Sequence, residues 1–235
     1  MKPHAFPSGR NNLISTLPDR DRALIESALT PVTLDKGMVL ESANRSIESV
    51  YFPVSGIGSI IALGTNGRRV ESGLFGRDGM SGTSVLIGAD RSPNDTLMQV
   101  PGHGQSIPVD RLNDLMEQNP ALRRHLTRYV QALMIQTAHT ALSNVHAKLE
   151  DRLARWILMC HDRIDGNSLA QTHEFLSIML GVRRAGVTIG IHILEGKGMI
   201  RATRGRIQIL DREGLEAEAE QIYGVPEAEY SRFYG

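Results

Sequence analysis

Cysteine is nearly absent from this sequence of 235 residues. Cys160 stands alone, which excludes an internal disulfide framework and any multi-cysteine zinc or iron–sulfur site held by one chain. A reducing, cytoplasmic compartment is the expectation. Excess charge is lacking too: 26 basic residues balance 26 acidic ones, so any nucleic-acid or anionic partner has to be met by local charge rather than by the average. Long apolar runs are missing as well. The opening MKPHAFPSGRNNLIS has no apolar core of the ~7–15 residues a signal peptide uses, and no later window approaches the ~18 of a membrane span, so a soluble protein with no membrane partner is expected. His-Glu-x-x-His, Walker A and Gly-x-Ser-x-Gly signatures are absent, and no catalytic residue is assigned.

The eight histidines form no metal or haem signature either. His139 and His146 share a helical face but have no third ligand, so no metal site is assigned. A metal-dependent cupin would need a His-x-His pair on its strands, where only His103 is available.

What is present changes character twice along the chain, and the length favours two domains. Residues 17–29, LPDRDRALIESAL, read as a short helix opened by Pro18 and Asp19, with Leu24, Ile25 and Leu29 on one side. From Thr33 to Pro108 the sequence breaks into short β-favouring runs (MVL, SVYFPVSG, GSIIALG, RRVESGLF, TLMQV, QSIPV) separated by turn residues, a pattern that predicts a sandwich or jelly-roll barrel. Asn66-Gly67 marks a hairpin in which both residues tolerate positive φ.

Beyond Pro108 the period becomes helical. After a short segment, Val109 to Glu117, Asn119-Pro120 opens a helix with apolar positions at Leu122, Leu126, Tyr129, Val130, Leu133, Thr137, Ala141 and Leu142. This stripe predicts about 25 residues of helix, ~37 Å long, meeting the same helix of a second subunit as in a coiled coil or packing on its own barrel. Lys148 to Ile164 forms a further helix that buries Cys160 as a core thiol, with a redox-sensing thiol as the alternative. Asp165-Gly166-Asn167-Ser168 ends it.

The segment from Thr172 to Leu210 carries the chemistry. Thr172 caps a helix running to Leu180, Gly181 stops it, and a second helix begins near Arg183, with Val187, Ile191 and Leu194 on its inner face. Two short helices joined by a Gly turn predict a helix-turn-helix whose second helix enters the DNA major groove. Met199 to Leu210 alternates into two strands around Arg204-Gly205, a wing with basic residues at its tip. From Gly181 to Arg206 there are six basic residues and one acidic residue, Glu195, a local charge of +5. The candidate DNA contacts are Arg183, Arg184, Thr188, Lys197, Arg204 and Arg206. One of the paired arginines is expected to read guanine O6 and N7 with its planar fork, and the other to hold a phosphate. The glutamate-rich tail from Glu213 is expected to lie away from DNA.

The order of jelly roll, long helix, helix-turn-helix and wing resembles the Crp-Fnr superfamily of bacterial transcription regulators over nearly the whole chain. Leu180-Gly181-Val182-Arg183-Arg184-Ala185-Gly186-Val187-Thr188-Ile189 partly matches that family's LG-x-x-R-x-T-V-x-R pattern. Arg184 takes the place of its base-reading arginine. Ala185 stands where many members have an acidic base contact, Gly186 where Thr is usual, and Ile189 where a second arginine falls. The resemblance implies an α+β chain that acts on palindromic double-stranded DNA as a homodimer and works with RNA polymerase. It divides into a jelly-roll sensor domain (1–118), a dimerisation helix (119–145) and a winged helix-turn-helix domain (146–235). It also implies an effector cassette, here Gly79-Met80-Ser81-Gly82 with Arg91-Ser92 nine residues on. Arg91 fits the phosphate-binding role, or is an ordinary loop arginine. Met80 replaces the glutamate that holds a ribose, so a cyclic nucleotide is not expected as cofactor. Gly79, Gly82, Arg91 and Ser92 are the candidate effector residues. The alternatives are a regulator that does respond to cyclic AMP, and a ligand-binding module whose C-terminal domain binds no DNA.

Overall fold

A computed structural model describes residues 9–235; the first eight residues, where the sensor domain and the expectation about a signal peptide begin, lie outside them. The N-terminal part opens with α1 (Asn12–Ser15) and α2 (Asp19–Glu26). The strands come next as β1 (Thr30–Leu34), β2 (Val39–Glu41), β3 (Ser49–Pro53), β4 (Ile57–Leu63) and β5 (Arg69–Phe75), then α3 (Thr83–Leu86), β6 (Asp95–Val100) and β7 (Gly102–Pro108). They form two antiparallel sheets, ordered β1-β7-β3 and β2-β6-β4-β5, the jelly roll the strand pattern predicts. α1 and β1 escape that pattern. β1 contains Pro31, which lacks an amide donor and is tolerated because β1 is an edge strand.

The β4–β5 hairpin forms at Asn66-Gly67 as the sequence predicts, though not both of these residues take positive φ. Only Gly67 has positive φ, at 76°, and Gly64 N donates to Arg68 O at 2.8 Å, so Thr65, Asn66 and Gly67 make a three-residue loop. Asn66 contributes its side chain, accepting from Arg68 N at 3.1 Å.

After α4 (Val109–Gln118), α5 runs from Pro120 to His146, capped by Asn119, whose Oδ1 accepts from the amides of Ala121 and Leu122. Its 27 residues span about 40 Å. Its apolar surface is split, which corrects the single seam read from sequence. Leu122, Leu126, Tyr129 and Ala132 are buried against the chain's own N-terminal core. A different stripe faces outward at Met134, Ala138, Ala141, Leu142 and Val145, with Met134 61% and Val145 75% exposed.

The C-terminal part comprises α6 (Leu149–His161), β8 (Ser168–Leu169), α7 (His173–Met179), α8 (Arg184–Gly196), β9 (Ile200–Thr203), β10 (Arg206–Ile209), α9 (Arg212–Glu218) and α10 (Val225–Tyr234). β8, read from sequence as a plain turn, joins the wing in a sheet ordered β8-β10-β9. Cys160 is fully buried, and burial pushes its thiol well up, as a core thiol requires. α10 departs from the domain division expected. Tyr230 and Tyr234 belong to the N-terminal core: Tyr230 Oη donates to Asp78 O at 2.6 Å and Tyr234 Oη to His125 O at 2.8 Å. No single helix among the described residues is long and apolar enough to cross a membrane.

The jelly roll and the C-terminal part are joined by buried polar contacts. β5 is an edge strand, and Gln136 of α5 satisfies that edge as a neighbouring strand would: Oε1 accepts from Leu74 N at 2.8 Å and Nε2 donates to Leu74 O at 3.1 Å. Glu71 of β5 accepts from Ser59 Oγ at 2.6 Å and from Trp156 Nε1 of α6 at 2.9 Å. Burial pushes the Glu71 carboxyl up to about 7 despite those hydrogen bonds and nearby Arg155 and Arg163. Between its ordinary value of 4.5 and 7, the folded chain holds a proton that the unfolded chain has released. This group's favourable contribution is therefore complete below pH 4.5 and lost as pH rises to 7. Glu71→Gln removes the titration. Relative to this variant, the parent is expected to lose up to about 3 kcal/mol of unfolding free energy across that window. Urea titrations at stepped pH measure the difference, and parallel pH profiles would contradict it.

Candidate nucleic-acid interface

Thr172 caps α7 as the sequence requires, its Oγ1 accepting from Phe175 N at 3.2 Å, with Glu174 in the positively polarised first turn. Leu176 and Met179 point inward. Gly181 adopts φ 63°, and the carbonyls of Ile178 and Ser177 accept from Gly181 N and Val182 N, which closes the end of α7 with backbone hydrogen bonds. α8 leaves the turn at 103° to α7, within the range of a DNA-binding helix-turn-helix.

α8 is seated on α6 by its glycines. A Cβ on Gly186 would lie 3.1 Å from Leu149 Cδ2, and one on Gly190 3.4 Å from Leu153 Cδ2. Gly186, at the position where the Crp-Fnr pattern has Thr, therefore faces α6; its small size serves close helix packing. Val187, Ile191 and Leu194 fill the same inner side.

The outer side carries the charge. Arg183 is the N-cap and Arg184 the first residue of α8; both are exposed, and the first turn contains no acidic residue. The first amides of α8 and the two guanidiniums thus form one positive end, suited to phosphate or to a base edge. Arg201 and Arg204 of the wing are also exposed, and Gly205 permits the tight tip with φ 73°. Among the described residues no ion pair engages Arg183, Arg184, Arg201, Arg204 or Arg206. Arg206 donates to Ser168 Oγ at 3.1 Å, which anchors it to β8.

Two expected contacts are placed otherwise. Lys197 lies just past the C-terminal end of α8, remote from Arg183 and Arg184, and its ammonium is ion-paired with Glu218 of α9. The acidic tail therefore touches the basic segment at this point. Thr188 lies one turn after Arg184, but its hydroxyl donates to Arg184 O at 3.3 Å and meets His173 Nδ1 at 3.0 Å, so it braces α8 against α7.

The effector candidates are each engaged by neighbouring groups of the chain itself. Gly79 is closed over by Tyr129, whose Oη would lie 2.2 Å from a Cβ there. Met80 is fully buried in the N-terminal core. Gly82 N donates to Glu41 Oε1 at 2.7 Å, so a carboxylate of the chain itself sits at the start of α3; burial pushes that carboxyl up. Arg91 is exposed and paired with its neighbour Asp90 through Nε at 3.0 Å and Nη2 at 2.8 Å. Ser92 Oγ accepts from Asn94 N in the same loop. The described residues contain no group of three or more His, Cys, Asp or Glu placed to hold a metal ion.

Residues 151–218 match the family model described as the Crp-like helix-turn-helix domain. Over 199 residues the chain is 22% identical to the global nitrogen regulator of a Nostoc species, which covers 80% of this chain and 89% of that protein. Among solved structures, a crp/fnr-family transcriptional regulator from Eubacterium rectale superposes with a TM-score of 0.66 at 21% identity, covering 88% of this chain and 97% of that one. FixK2 from Bradyrhizobium japonicum superposes with a TM-score of 0.69 at 15% identity, covering 84% and 98%.

Proposed function

With a Crp-like helix-turn-helix domain on the fold of the Crp/Fnr regulators, this chain is, we propose, a sequence-specific transcription regulator that grips a palindromic operator as a homodimer. The observation that carries the reading is the exposed, unpaired arginine pair at the start of a helix set at 103° to its partner, beside a basic wing. Arg184 reads a base edge, Arg183 holds a phosphate, and Arg204 and Arg206 of the wing reach the flanking backbone. Dimerisation uses the outward stripe of α5, Met134 to Val145. RNA polymerase as a partner and a cytoplasmic setting belong to the same reading.

No cyclic nucleotide is needed for this activity. Met80 offers no acceptor to a ribose, Glu41 takes the amide of Gly82, and Arg91 is turned to Asp90. Arg184→Ala is expected to cost roughly 1–3 kcal/mol of operator binding and to relax the preference at one base pair in each half-site. Mobility shifts on operators mutated one pair at a time measure both effects. Uniform weakening on every sequence would make Arg184 a phosphate contact instead.

A further inference from the structure

DNA binding through the arginines leaves unexplained what the middle of the reading face contains. At 100° per residue, Val187, Gly190, Ile191 and Leu194 turn inward and are buried, and the arc opposite them is occupied by Ala185, Ile189 and His192. Arg184 and Thr188 lie on its flank, and the Thr188 hydroxyl is already committed to Arg184 O and His173 Nδ1. Ile189 is 60% exposed although it stands on a helix whose other large apolar side chains are buried or half-buried. Arg183 and Arg184 stand at the N-terminal end of the same helix and Arg201 and Arg204 on the wing that follows it, all exposed and none ion-paired, while His192 at the far end of the arc faces Glu195 at 3.6 Å. An exposed apolar spot beside unpaired cations fits a surface that is anionic at its rim and apolar at a point inside it. The DNA major groove is such a surface, because the thymine 5-methyl is the one apolar group that base edges present there.

We propose that Ala185 and Ile189 read thymine methyl groups, so that the operator half-site holds thymine beside the base contacted by Arg184. The proposal rests on the DNA-binding reading and deepens it. Ala185 and Ile189 are one helical turn apart, ~6 Å along the axis, or about two base-pair steps of ~3.4 Å. The thymines therefore fall within two to three base pairs of the base read by Arg184. Neither side chain donates or accepts a hydrogen bond, so discrimination against cytosine at these positions comes from the methyl group and from the unmatched amino group that cytosine would place against them.

The test uses the full chain and an operator enriched from a random DNA pool, with each thymine replaced in turn by deoxyuridine, which pairs identically and lacks only the methyl. One or two replacements per half-site are expected to weaken binding about fourfold each, the effect of burying one methyl-sized group. Ile189→Ala is expected to bind the thymine and deoxyuridine operators alike at one of those positions. Ile189 is on the surface, so this variant keeps its fold. Equal binding of every deoxyuridine operator by the parent protein, half-sites without thymine, or undiminished discrimination by Ile189→Ala would each overturn the proposal while leaving DNA binding intact. If no sequence is enriched at all, the DNA-binding reading falls, and this inference with it.

Discussion

Arg163→Met is expected to lower the unfolding free energy by about 3–5 kcal/mol, a large fraction of the ~5–15 kcal/mol that holds a domain together. Arg163 and Asp78 are 6% and 3% exposed, and Nε donates to Asp78 Oδ1 at 2.9 Å, with a second bond from Nη2 to Oδ2. Asp78 belongs to the turn after β5, and Arg163 lies just past α6, so the pair bolts the jelly roll to the helix-turn-helix part. A further bidentate pair, Arg77 with Asp165 at 2.9 and 3.0 Å, lies in the same seam. Removing the guanidinium leaves Asp78 buried with the Gly76 amide but without a charge partner. The cost is that stranded charge rather than the net value of the pair. The double variant Asp78→Asn, Arg163→Met should therefore recover part of the loss. Urea denaturation of both variants measures this, and a loss below about 1 kcal/mol for the single change would show that water reaches Asp78.

Leu142→Glu combined with Val145→Glu is expected to yield a monomer and to weaken operator binding by about 10²–10⁴-fold, the gain that linking two half-site contacts supplies. Leu142 is 43% and Val145 75% exposed, so neither change disturbs a core, and carboxylates facing each other across a helix pair repel. Sedimentation equilibrium and DNA titration separate the two consequences. A variant that stays dimeric would move the contact to another surface. A monomer with undiminished affinity would show that one reading head is sufficient.

Much of this architecture is legible in the sequence because its signals are local. Thr172, Gly181 and the inward positions Val187, Ile191 and Leu194 define the helix-turn-helix by capping and periodicity, and the structure places each where those rules require. The strands announce themselves through β-favouring runs and turns, apart from β1, whose Pro31 reads as a breaker until its edge position is known. Long-range choices are not legible. Apolar residues lie on two sides of α5, and periodicity alone cannot tell the side covered by the chain's own core from the side left outward. Nor does sequence spacing reveal that Lys197 finds Glu218, that Thr188 braces His173, or that α10 returns to Asp78 and His125. Gly186 and Gly190, four residues apart on one helix, are a readable sign of close helix packing. Set against the family pattern, Gly186 shows only the threonine it replaces.

Selection of bound DNA from a random pool by the full-length protein, with and without cyclic AMP, tests regulation through DNA most directly. The expected result is a palindromic consensus whose half-site centres lie about 34–36 Å apart, one helical turn, enriched equally in both conditions and lost with Arg184→Ala. A pool that remains random, or one enriched only when cyclic AMP is present, would contradict it.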